Sequence, residues 1–515
     1  MSGFGETDEP PEVDLTNSER SRLPVPESDT SPGGDGAPDG DDSSTVSGDI
    51  ARSTASLTMR RFGLIGISFI STLFITRKLG PSGYGALQSG LATWGIIVAL
   101  CDFGVSLALS REMAKDPASQ PSLLRATYWV QGAWSVLLTL VMVVVALLTG
   151  GSFSQHSEIL LVLAPSVLVT AFSSGRNLFL VRYEMGYVVM VDLVTTSIQV
   201  AVMIAVAMLG YGPVAVAAVI SAGTIVSSIW IGIAAHRKAG AFHIWRHSAR
   251  RLVKAAAPLG VMGILSRIYL SIDLVILGFM RTGLAVGNYA VAVKIATLAN
   301  TVPGLLVAAA LPGMSSNIDD ENEVSALLSR LSHWLCAFVV PMFIAVAVYS
   351  HQITLLVVGR KYTTAAELVA ILSIACLVGT LSQLLSIPLV ASVRMRPLMV
   401  QNSIAVIFNV GLNVALIPVF GAVACAWLTV GTELIVCSGA VWTVFHTMGV
   451  RFALGKSPRC LLVSTVAGIA AAALLPISLA LSLAVSAVVF IGGLLILGCW
   501  PEEFHPLALV TGKAR

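Results

Sequence analysis

Fourteen apolar runs, separated by short polar or glycine- and proline-bearing breaks, fill the chain from about residue 62 to residue 499. They fall at 62–79, 83–107, 124–149, 158–180, 187–209, 213–235, 255–279, 284–312, 332–350, 364–391, 397–420, 422–448, 459–475 and 477–499. Each is close to the roughly 20 residues that a helix needs to cross a bilayer. Lipid offers backbone groups no partners, so such runs must be helices. The pattern therefore predicts an all-α integral membrane protein with about fourteen transmembrane helices. Some turns are very short, as at Gly210-Tyr211-Gly212, Phe420-Gly421 and Pro476. A further apolar stripe, Val324, Leu327, Leu328 and Leu331, follows Asp319-Asp320-Glu321. It predicts a capped amphipathic helix before span 9.

Composition agrees with a lipid environment. Of 515 residues 56% are apolar and 11% charged, less than half the charge of a soluble domain. Mean hydropathy is +0.85. Residues 1–50 differ: they carry 13 of the 28 acids and two of the 31 bases, and their Pro/Gly-rich composition predicts a disordered acidic tail. The remaining bases report topology. With the N-terminus in the cytoplasm, 22 fall in inside segments and five (Arg77, Lys78, Arg281, Arg360, Lys361) in outside loops. That asymmetry predicts a multi-pass cell-membrane protein with both termini cytoplasmic. A basic excess this thin excludes nucleic-acid binding as a theme.

Enzyme chemistry finds little purchase. The seven cysteines form no CxxC pair and lie in or beside apolar runs, which argues against a disulfide framework or a zinc site. Gly455-Lys456-Ser457 resembles the end of a phosphate-binding loop, but Val450 stands where the first glycine belongs. His243 and His247 have helical spacing in a basic linker and no acid to complete a metal motif. No catalytic residue, metal or cofactor is expected.

The chain also repeats itself. Met185–Asp192, a span, and Gly210-Tyr-Gly-Pro-Val-Ala-Val-Ala parallel Arg394–Gln401, a span, and Val419-Phe-Gly-Ala-Val-Ala-Cys-Ala at an offset of 209. Ser82-Gly83-Tyr84-Gly85-Ala86 parallels Gly287-Asn288-Tyr289-Ala290-Val291 at an offset of 205. Two such offsets predict two six-helix lobes related by an axis along the membrane normal. The expected organisation is a tail (1–50), an N-lobe (56–235), a basic linker (236–254), a C-lobe (255–448), a final helix pair (459–499) and a C-terminal segment (500–515).

Several of these segments resemble one family. Arg77-Lys-Leu-Gly-Pro-Ser-Gly-Tyr-Gly85 and Asp102-Phe-Gly104 are similar to the start of bacterial polysaccharide-lipid flippases of the multidrug/oligosaccharidyl-lipid/polysaccharide exporter superfamily. Pro258, Ser271-Ile-Asp273, Gly287-Asn-Tyr-Ala-Val-Ala-Val-Lys294, Gly359-Arg-Lys-Tyr362 and Ile417-Pro-Val-Phe-Gly-Ala-Val-Ala424 continue the pattern in order. The resemblance implies two lobes in a V around a central cavity, with Gly80, Pro81, Tyr84, Gly85, Asp102 and Gly104 as structural positions. It also implies a flippase that moves a polyprenyl-(pyro)phosphate-linked oligosaccharide outward by alternating access. Its partners would be the lipid-linked glycan, membrane lipids, and a polysaccharide polymerase or glycosyltransferases. Fourteen spans also occur in the related lipid II flippases. An ion-coupled multidrug exporter of the same superfamily is the alternative; it would prefer an acid in span 1, which offers only Ser68, Ser71, Thr72 and Thr76. A polyprenyl-sugar-using glycosyltransferase or polymerase would need a substantial outside loop, and none is present.

Candidate site residues follow from charge at depth. Arg267 and Lys294 lie about 18 and 15 Å into spans 7 and 8 at 1.5 Å per residue, where a cation costs about 2.5–3.5 kcal/mol. They are candidates to hold an anionic head group, with Asp273 in the same site; the bland reading pairs one of them with Asp273. Glu433, deep in span 12, is a candidate proton or ion carrier. Asn402, Asn409 and Asn413 recur on one face of span 11 as an interhelical seam or sugar-binding face. Asp102 and Asp192 read as helix-end polar residues.

Overall fold

Apolar runs become helices, and the breaks between them have local causes. The computed structural model describes residues 42–149, 154–240, 246–316, 320–392, 395–447 and 455–500. Residues Ile50–Arg515 form one compact unit and Met1–Asp49 another. Of the expected disordered tail, residues 1–41 lie outside the described residues, as do 241–245 of the linker and 501–515; residues 42–49 are helical.

Helix α1 (Asp42–Asp102) holds spans 1 and 2, divided where Gly80 takes φ 67° before Pro81. Proline lacks the N–H the helix would need and glycine tolerates the left-handed region, so this pair makes the turn. Gly104 (φ 71°) separates α1 from α2 (Val105–Lys115). Then come α3 (Gln120–Thr149), α4 (Ser154–Leu168), α5 (Thr170–Ser173), α6 (Arg176–Val181), α7 (Met185–Met208) and α8 (Pro213–Ala239). Helices α4 to α6 are one span bent by 52°, downstream of Pro165.

The C-lobe follows as α9 (Arg246–Met280), α10 (Gly283–Ala299), α11 (Thr301–Ser316), α12 (Glu321–Trp334), α13 (Val340–Val348), α14 (Ser350–Val358), α15 (Ala365–Ala391), α16 (Met395–Phe420) and α17 (Ala422–Thr447). Span 8 breaks at Asn300, where Pro303 removes a backbone donor. The expected amphipathic helix is α12. Asp320 caps it by accepting from the backbone N–H groups of Asn322 (2.9 Å) and Glu323 (3.4 Å), and Val324 and Leu328 are buried. It runs through a π-helical turn, Leu335–Val339, into α13. Pro341 lies just beyond that turn.

Twelve helices, or thirteen with the bent span, are long and apolar enough to cross a membrane among the described residues. The first of them, Phe69–Lys115, is 47 residues long and contains the Gly80 break, so it accounts for the fourteenth span. The final pair, α18 (Ser457–Leu474) and α19 (Leu479–Ile496), docks on span 9. Cys460, Val463, Leu494 and Cys499 pack there against Ala337, and the Tyr349 and Ser482 hydroxyls lie 2.9 Å apart.

The apolar core explains how the lobes meet. At the Gly80 end one cluster runs through both, joining Tyr84, Leu87, Ile159 and Val216 to Val286, Tyr289, Leu368 and Cys425. At the Gly104 end the cores are separate: one around Leu109, Leu178 and Ile231 takes in Leu252 and Ala256 from the start of α9, and the other gathers around Met314, Phe343 and Leu384. The lobes thus share one core at the Gly80 end, while at the Gly104 end they touch through the start of α9. The joint uses repeated segments: a Cβ at Gly85 would collide with the Gly283 carbonyl and lie 2.6 Å from the Gly287 nitrogen. Tyr362 Oη donates to the Thr76 carbonyl (2.9 Å) and Arg77 to that of Leu356. Gly85→Val is accordingly expected to cost about 1–3 kcal/mol through overpacking. A lower thermal midpoint and faster labelling of a cysteine placed at Ser82 would register it. An unchanged midpoint would mean that the joint is elsewhere.

Candidate functional site

Three pairs of polar side chains at helical i, i+4 spacing converge inside the C-lobe. Tyr269 and Asp273 lie on α9, Asn409 and Asn413 on α16, and Thr429 and Glu433 on α17. Asp273 accepts from Tyr289 Oη (3.0 Å), Asn413 Nδ2 (3.1 Å) and Thr429 Oγ1 (3.2 Å). Asn413 Nδ2 also reaches Asn409 Oδ1 (2.9 Å), and Asn409 Nδ2 donates to Thr432 Oγ1 (3.2 Å). Asn409 and Asn413 are buried. Their hydrogen bonds tie span 11 to spans 7 and 12.

Asn402 stands two turns away, on the wall of a cavity of about 630 Å³. Glu433, Tyr269, Asn300, Gln383 and Gln401 share that wall. Glu433 accepts from Tyr269 Oη at 2.6 Å. Gly379 makes room for its carboxylate, since a Cβ there would lie 2.9 Å from Oε2. A smaller cavity of about 210 Å³ reaches from Glu433 and Tyr269 to Asp273, Asn409, Tyr289 and Thr429. Glu433 therefore sits where the larger chamber meets the buried network.

Arg267 serves a different place. Its guanidinium lies against Gly95 in span 2, where a Cβ would clash with it, so a C-lobe cation reaches the N-lobe. Its Nε is buried without a hydrogen-bond partner. A buried unsatisfied donor costs about 1–3 kcal/mol, more when charged. Lys294 is half-buried on α10. The structure brings together Asp273, Asn409, Asn413 and Glu433, places Asn402 on their chamber, and sets Arg267 between the lobes.

The remaining motif residues do structural work. Tyr84 is buried, and Gly80, Pro81 and Gly85 build the turn and the lobe contact. Asp102 accepts from Gln131 Nε2 (3.2 Å) and from Ser106, at the end of span 2. Phe103 and Gly104 there meet the backbone of Leu259 and Gly260. Asp192 pairs with Arg176 within the N-lobe.

Sequence reasoning missed Tyr269, Thr429, Thr432, Asn300 and Gln383. The signal was present in the i, i+4 polar pairs on three otherwise apolar spans, which place both members on one face.

Helices in two joined lobes, a chamber that carries a carboxylate and a half-buried cation between the lobes have the architecture of multi-pass membrane transporters of the multidrug/oligosaccharidyl-lipid/polysaccharide exporter superfamily. Residues 50–318 match the family described as polysaccharide biosynthesis protein, and the chain belongs to it. Among curated relatives, it is 24% identical over 415 residues to the probable low-salt glycan biosynthesis flippase Agl15 of Haloferax volcanii, covering 77% of this chain and 83% of the relative. Among solved structures, the lipid II flippase MurJ in an inward closed conformation superposes with a TM-score of 0.73 at 12% identity, covering 85% of this chain and 98% of the other. An inward-facing MATE multidrug resistance transporter gives 0.60 at 13% identity, covering 77% and 98%. Those structural likenesses speak to the fold.

Proposed function

We propose that this protein flips a polyprenyl-(pyro)phosphate-linked oligosaccharide from the cytoplasmic to the outer leaflet of the cell membrane, by alternating access of its two lobes. The observation that carries the reading is the buried Arg267 Nε between the lobes, a charged donor with no acceptor among the described residues. A cation at depth that has no acid partner among the described residues is suited to a phosphate that arrives and leaves. Lys294, half-buried on the adjacent helix, supplies a second positive charge. Supporting this are the family match and a relative named as a glycan biosynthesis flippase. A polymerase and glycosyltransferases that make and use the lipid-linked glycan are the proposed partners.

Glu433 favours a second reading, an ion-coupled multidrug exporter, because a carboxylate lining a chamber can serve organic cations. Removing the protein should separate the two. Lipid-linked glycan is expected to accumulate on the cytoplasmic side, and re-expression should clear it. Unchanged glycan with increased retention of a cationic dye would overturn the flippase reading. Orientation is tested alongside: cysteines placed at Ser154 and Gly283 should react with an impermeant reagent from outside, and cysteines at Ala241 and Gly455 should not. Outside labelling at Ala241 would reverse the arrangement.

A further inference from the structure

The outward face of the N-lobe carries a groove that the transport reading leaves unused. It is a cavity of about 420 Å³ between α7 and α8, walled by Tyr187, Val226, Ile229, Trp230 and Ile233 and ended by Arg237. Val226, Trp230, Ile233 and Arg237 follow one another at helical spacing, so the groove runs along α8 from apolar wall to cation. Trp230 and Arg237 are seven residues apart, about 10 Å along the axis.

Two features set it apart from ordinary lipid-facing surface. The first is an aromatic pair whose polar atoms are already satisfied: Trp230 Nε1 donates to Tyr187 Oη at 2.9 Å, and both rings remain well exposed. Tyr187 also stacks on Phe179 with centroids 5.4 Å apart. Such amphipathic rings belong near the interface of a bilayer, here at the outer edge of the hydrocarbon below the cation. The second is the charge at the groove's end. Neighbouring cations are occupied: Arg176 by Asp192, Lys238 by Glu184, and Arg182 by Gln120 and the Lys238 carbonyl. Among the described residues no acid or hydrogen-bond acceptor engages Arg237, which is exposed.

We infer that this groove is a binding site for one anionic diacyl phospholipid of the surrounding bilayer. Its acyl chain lies along Val226, Ile229 and Ile233, and its phosphate meets the Arg237 guanidinium. Polarity along the groove runs in the same order as polarity along such a lipid. The occupant is a bilayer component rather than cargo, because the groove opens on spans 5 and 6, away from the C-lobe chamber and from the lobe contacts of spans 2, 7 and 8. The site does not depend on which substrate the protein moves.

The test uses the full chain in vesicles of phosphatidylcholine with phosphatidylglycerol, one lipid at a time carrying brominated acyl chains. Fluorescence of wild type minus that of Trp230→Phe isolates Trp230 among the nine tryptophans. At equal mole fraction brominated phosphatidylglycerol is expected to occupy the groove about fivefold more than brominated phosphatidylcholine, the preference one basic side chain confers at an anionic surface. Arg237→Gln should bring that ratio to about one, and Arg237→Lys should keep it. Equal quenching by the two lipids in the wild type would overturn the site. So would a preference that survives Arg237→Gln or is lost in Arg237→Lys. Relief of quenching by a few mole per cent of unbrominated polyprenyl phosphate would assign the groove to the carrier lipid and overturn it equally.

Discussion

Lys294→Glu is expected to stop transport, Lys294→Ala to lose most of it, and Lys294→Arg to retain much. Charge is what an anionic head group reads at depth, and shape matters less. Truncating a buried charge contact costs about 2–5 kcal/mol, at least roughly thirtyfold in affinity. Arg267 should behave differently, since a guanidinium binds two phosphate oxygens at once and an ammonium cannot. Arg267→Lys is therefore expected to be weaker than wild type. The structure adds a change that leaves both cations in place: Gly95→Ala puts a methyl group where the Arg267 guanidinium lies. It should impair transport as Arg267→Lys does, with normal protein abundance. Accumulation of lipid-linked glycan on the cytoplasmic side, normalised to membrane abundance, reads all of these. If Lys294 serves only to balance Asp273, the double change Lys294→Ala with Asp273→Ala should restore activity, and that rescue would sink the substrate-contact reading. It is not expected, because the double variant strips Tyr289, Asn413 and Thr429 of their shared acceptor.

Legibility in the sequence followed the physics of each feature. Span positions were legible because lipid demands long apolar helices, and the fourteen runs correspond to helices. The Gly80-Pro81 turn was legible for the same reason that it works: proline lacks a donor and glycine tolerates the left-handed region. Breaks inside spans were not, since Asn300 and the 52° bend after Pro165 interrupt runs whose overall apolar character continues on both sides of the break. The depth of Arg267 and Lys294 could be counted along the chain, but their neighbours could not. A helix that is apolar all round gives no stripe to fix its rotation. Arg267 and Asp273, six residues apart on one helix, had to point to different faces; only packing shows that the Arg267 face meets Gly95, a residue 172 positions earlier. The asparagine face of span 11 was legible as a period, while its partners on spans 7 and 12 required the fold.

Glu433→Gln is expected to abolish the part of transport driven by an imposed proton gradient while leaving downhill substrate exchange in place. Glu433 is the chamber's carboxylate, and it stands where the larger cavity narrows toward the Asp273 network. A carrier must load and unload, so it needs access to the chamber and a partner that tolerates both forms. Tyr269 can do this, because its hydroxyl donates to a carboxylate and accepts from a carboxylic acid. Asp273 is suited to a static role, since three side-chain donors converge on it. The two acids should separate in measurement. Asp273→Ala removes the acceptor that donors on spans 8, 11 and 12 share and should reduce membrane abundance and thermal midpoint. Glu433→Gln keeps shape and the Tyr269 hydrogen bond, and should leave both unchanged. Tyr269→Phe should weaken the response to the gradient without removing it. The assay is uptake of lipid-linked glycan into vesicles with and without an inward-acid pH step. An undiminished response in Glu433→Gln would exclude this carboxylate as the coupling group. Loss of exchange as well as drive would instead make it part of the substrate site.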